Sequence, residues 1–154
     1  MRRYRQIIRI VAAVALLLSF FLPMSSCSYT VPINVDPGET LPDGSKIHTE
    51  TRTVINYARE YLDLDEIGAW LNMLAFFWPI GLLLLQRRFS GKKYPFLFSG
   101  SGVLLSVFSM AVIYTWADLG KPLVGAYLGG SAALVLFAVY TVELVQYFRK
   151  ETTN

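Results

Sequence analysis

A chain of 154 residues has the length of one domain, yet 54% of it is apolar and its mean hydropathy is +0.44, more than a water-soluble domain usually carries. Its net charge of +3 averages acidic and basic segments that lie apart in the chain, so it is no measure of affinity for nucleic acid. A lone cysteine excludes an internal disulfide scaffold, and a single histidine without a second ligand at fixed spacing gives no metal site.

The first apolar block, Ile7 to Leu22, follows Arg2, Arg3 and Arg5 and contains Arg9. As a helix starting near Tyr4, with Arg9 snorkelling to the cytoplasmic surface, it reaches the lower end of the length needed to cross a hydrocarbon core of about 30 Å. Pro23 then marks the helix exit. The same stretch has a second reading. A basic start, an apolar run from Ile10 to Leu22 and then Met24-Ser25-Ser26-Cys27 resemble the signal segment and lipobox of bacterial lipoproteins. That resemblance implies cleavage before Cys27 and its lipid modification, although Met24 stands where the family pattern prefers Leu. Retention of the helix is the favoured expectation, because the chain goes on to cross the membrane three more times. Both readings deliver residue 28 to the outer side.

Residues 23–66 form an acidic outer loop, with eight Asp or Glu residues against Lys46, Arg52 and Arg59. Tyr29, Val31, Ile33 and Val35 alternate as in a short strand, which Pro32 restricts to an edge. Asp36-Pro37-Gly38 and Pro42-Asp43-Gly44 supply turns. Thr49, Thr51, Thr53 and Ile55 suggest a second strand, and together the two would make a ribbon. Val54, Tyr57, Ala58, Tyr61 and Leu62 also fit one helical face, so the expected change from strand to a short amphipathic surface helix falls near Thr53. His48 reads as a solvated loop residue, and Asp63 and Asp65 as caps of the helix that follows.

Ile67–Leu85, Tyr94–Trp116 and Pro122–Val142 contain no charged residue and are each long enough to span a membrane. The expected helices are therefore 4–22, 67–85, 94–116 and 122–146, joined by 23–66, 86–93 and a tight outer turn at 117–121, with a tail at 147–154. Arg2, Arg3, Arg5 and Arg9, then Arg87, Arg88, Lys92 and Lys93, then Arg149 and Lys150 hold alternate ends in the cytoplasm, which puts both termini there. Pro79, after Trp78, is expected to kink the second helix. Trp70, Tyr94 and Trp116 stand at predicted membrane interfaces, as an aromatic belt would. Gly125 and Gly129 form a GxxxG pair, and Gly102 with Ser106 offers a similar small face; both suit close helix packing, within the bundle or between subunits. Asn72 and Glu143 are among the few strongly polar groups in these helices, and Glu143 reads as an interfacial residue.

The fold class expected is an all-α membrane protein: an antiparallel four-helix bundle with a small extracytoplasmic region. Its layout resembles the claudin-like plan, without that family's paired loop cysteines. "FFLPMSSC" and "GAWLNMLAFFWP" look similar to segments of small uncharacterised inner-membrane proteins of bacteria, a resemblance that brings no activity with it. The function expected is non-enzymatic: an accessory or immunity-type subunit of the bacterial cytoplasmic membrane. Its partners would be the lipid bilayer and a membrane protein or a second copy, with no nucleic acid, catalytic residue or cofactor. The alternatives are an oligomeric channel or small-solute transporter, and a lipoprotein with three helices.

Overall fold

The computed structural model describes residues 2–33, 48–61, 67–88 and 95–151. Helix α1 runs Arg2–Phe21, free of Gly and Pro, and stops where Leu22 precedes Pro23, because the proline ring disfavours helical backbone at the residue before it. Leu22 closes the last turn by donating its N–H to the Ser19 carbonyl at 3.2 Å. The chain then passes directly into strand β1, Pro23–Ile33.

Strand β2, His48–Tyr57, pairs with β1 in antiparallel register, from Ile33 opposite His48 to Ser25 opposite Asn56, with an irregularity between Pro23 and Ser25. A single 3-10 turn follows at Ala58–Tyr61. Helices α2, Ile67–Arg88, and α3, Pro95–Asp118, come next. Pro95 takes the first helical position, where a missing N–H costs nothing. Lys121–Pro122 form a short strand β3 on the other side of β1, at Ser25 and Ser26, and α4 runs Val124–Glu151. The sheet order is β2-β1-β3.

Two expectations for the outer region are corrected by this sheet. The helix expected after Thr53 is instead strand as far as Tyr57 and then one 3-10 turn. An isolated helix of about nine residues nucleates poorly, whereas Ser25, Ser26 and Cys27 supply a ladder that satisfies the backbone of Asn56, Ile55 and Val54. The outer turn expected at 117–121 contributes a third strand, so the molecule is mostly helical but not all-α. Residues 34–47 and 62–66, including both turn motifs, Asp63 and Asp65, lie outside the described residues.

Chain order sets the helix directions. Helix α1 ends at the sheet, α2 leaves from its side, α3 ends at it and α4 begins at it, so successive helices are antiparallel. Helix α4 packs extensively against both α3 and α1, while α1 and α2 meet less closely. The core holds Leu16, Phe20, Phe76, Leu136 and Tyr140 together with small residues such as Ala75 and Ala133. Four helices are long and apolar enough to cross a membrane.

Candidate functional site

Polar side chains join separate elements of the bundle in three places. Near the basic end, Arg9 of α1 turns inward between α2 and α4. Its Nη1 donates to Gln86 Oε1 at 3.1 Å and to Glu143 Oε2 at 3.4 Å. The guanidinium carbon is 5.7 Å from the centre of the Tyr140 ring, inside cation-π range. The two charged side chains are 14% and 21% exposed. Arg9, expected to snorkel outward, instead turns inward to Glu143, the residue read as interfacial. Each supplies the opposite charge the other needs, which is the usual fate of ionisable groups within apolar helices. A groove of about 500 Å³ opens between α1 and α2 beside this cluster, with Gln6, Arg9 and Gln86 at its polar end and Val14 and Ile80 among its apolar walls.

In mid-bundle, Pro79 has no N–H to offer the Ala75 carbonyl four residues earlier. The Ser109 hydroxyl of α3 donates to that carbonyl at 2.6 Å and itself accepts the Trp78 Nε1–H at 2.8 Å. Proline thus creates a bond between α2 and α3, and the helix continues through it. At the sheet end, Asn72 donates its amide N–H to the Ala58 carbonyl at 2.7 Å and accepts the Trp116 Nε1–H at 3.1 Å. One side chain thereby fastens the 3-10 turn, α2 and α3.

Of the three residues expected in an aromatic belt, Trp70 is 60% exposed, Trp116 is buried at 8% and committed to Asn72, and Tyr94 lies outside the described residues. The small residues all pack within the chain. A Cβ on Gly125 would meet the Pro23 carbonyl oxygen at 2.7 Å, one on Gly129 would meet Ser19 Oγ at 2.7 Å, and one on Gly102 would meet Tyr140 Cγ at 2.5 Å. Ser106 is buried and donates to the Gly102 carbonyl at 2.7 Å.

Cys27 is half-buried at mid-strand in β1, opposite Val54. Its thiol donates to the Leu119 carbonyl, and a Cβ on Gly120 would sit 2.7 Å from its sulfur. The contribution of Gly120 was not legible beforehand, since a glycine in a turn carries no sign of what lies against it. The Arg9–Glu143 pairing did leave a signal: one positive and one negative charge, each in an otherwise apolar stretch of its own helix. Compared with known proteins, the chain matches no family model, no curated protein and no solved structure.

Proposed function

We propose that the chain is a non-enzymatic multi-pass protein of the bacterial cytoplasmic membrane that works by associating with protein, as an accessory or immunity-type subunit. Membrane residence is supported by the inverted distribution of side chains: Leu104 is 72% exposed and Leu134 is exposed, while Ser19, Ser99, Ser106 and Ser109 are buried. In water such outward apolar faces would be unstable, at a cost of about 25 cal/mol per Å². Cytoplasmic termini are supported by the clustering of basic residues at the start of α1, the end of α2 and the end of α4, all away from the sheet.

The observation that carries the interaction reading is that most internal polar side chains are bonded within the chain, to one another or to backbone carbonyls, with Arg9 Nε, Tyr140 Oη and Thr141 Oγ1 the buried side-chain atoms without a partner among the described residues. A transport path needs groups left available to a solute. Asn72 is tied to Ala58 and Trp116 at the sheet end, and Glu143 is tied to Arg9 about 28 Å of helix away from the start of α4. Retention of α1 is favoured over lipid modification because Leu16, Ser19 and Phe20 are buried in the core and α4 has its glycine face against them.

The test is reconstitution of the purified chain in sealed vesicles. Ion and small-solute flux equal to that of empty vesicles is expected. Flux that appears with the chain and is lost in Asn72→Ala or Glu143→Gln would establish the channel reading instead.

A further inference from the structure

We propose that the free edge of β2 is a self-pairing surface, on which a second copy of this chain adds its own β2 in antiparallel register centred on Thr51. In the described sheet β2 is an edge strand, and β1 occupies only its inner side. Natural edges are blunted by Pro, Lys, bulges or short length. Strand β2 is ten residues long, pairs with β1 without irregularity from His48 to Asn56, and contains no Pro, Gly or Lys. Its sequence carries five β-branched residues, Thr49, Thr51, Thr53, Val54 and Ile55, which favour extended pairing.

Charge selects the occupant and the register. Glu50 and Arg52 are the strand's only charged residues; they share one face, are exposed, and contact each other through Arg52 Nε to Glu50 Oε2 at 3.3 Å. Thr-Glu-Thr-Arg-Thr, residues 49–53, is complementary to itself when reversed. With Thr51 opposite Thr51, Glu50 faces Arg52 of the second copy, Arg52 faces its Glu50, and Thr49 faces Thr53. Each copy presents the same patch to the other, as a two-fold interface requires. If the pairing is shifted by two residues so that Arg52 meets Arg52, both opposite-charge pairs are lost and one like-charge encounter replaces them.

The inference rests on the interaction reading and names its partner surface. It is tested on the full chain in detergent, where the two copies are free to meet in either orientation, with Cys27→Ser removing the native thiol. In that background Thr51→Cys under mild thiol oxidation is expected to give a disulfide-linked dimer at least five-fold more abundant than Thr53→Cys does. Paired Thr51 residues fall within disulfide reach, while the two Thr53 residues are about 13 Å apart at about 3.3 Å per residue. Glu50→Arg and Arg52→Glu, each alone, lower the dimer fraction several-fold, and the double reversal restores it. All four positions are exposed, so the variants keep the fold.

Equal crosslinking at Thr51 and Thr53, a crosslink from Thr51 to a different protein, or a double reversal no better than the singles overturns the proposal. These results leave the vesicle flux, and so the interaction reading, to stand or fall separately.

Discussion

At Arg9 a positive charge in an otherwise apolar helix face is held by two partners on two other helices. Truncating one member of such a pair leaves the other charge buried without compensation, which costs about 3–5 kcal/mol when fully enclosed; the 14% and 21% exposure here brings the expected loss to about 2–3 kcal/mol. Arg9→Ala and Glu143→Ala are each expected to lower unfolding stability in detergent by that amount. Arg9→Ala combined with Glu143→Ala should lose much less than the sum of the singles, because neither charge is then stranded. A double-mutant cycle read by chemical denaturation checks this. Additive losses would mean that the two side chains do not form a pair. The inward turn of Arg9 was not legible in the sequence: periodicity places residue 9 on a helix, and only the neighbouring helices decide whether a long side chain reaches outward or inward.

At the scale of elements, the pairing of Pro79 with Ser109 makes a specific prediction. Ser109→Ala removes the donor to the freed Ala75 carbonyl and the acceptor of the Trp78 N–H, and is expected to cost about 1 kcal/mol. In a Pro79→Ala background the helix supplies its own N–H to Ala75, so the same serine substitution should cost measurably less. Thermal denaturation of the four combinations, followed by tryptophan fluorescence, gives the comparison. The four helices themselves were legible in the chain, since 67–85, 94–116 and 122–146 are uncharged or nearly so and their described counterparts extend only a few residues further. The strand pairing was half legible. Thr49, Thr51, Thr53 and Ile55 announce β2, but Met24 to Cys27 look like the tail of an apolar segment, and only their partners at Val54 to Asn56 and at Lys121–Pro122 make them the middle of a sheet.

For the molecule as a whole, α1 is part of the packing: Leu16 and Phe20 lie in the core, and Gly125 of α4 approaches the Leu22 and Pro23 carbonyls. The purified protein is therefore expected to have the intact mass of the uncut chain, 17.3 kDa, with no added acyl groups. Intact mass spectrometry decides this directly; a species starting at Cys27 and carrying lipid would reverse the assignment. No single segment of the sequence carries that expectation, because the signal-like start and the spanning helix share the same residues and differ only in what α4 does with them.

Strand β1 leaves α1 after a single intervening residue, and its two sides are bonded to β2, which leads towards α2, and to β3, which lies between α3 and α4. Every helix is thus tied near this one small clasp by main-chain hydrogen bonds or a short stretch of chain, while the far ends are joined across the bundle by side chains such as those of Arg5, Arg9, Gln86, Glu143 and Gln146. Splaying of the helices is consequently least costly at the basic end, with the sheet as the fixed pivot.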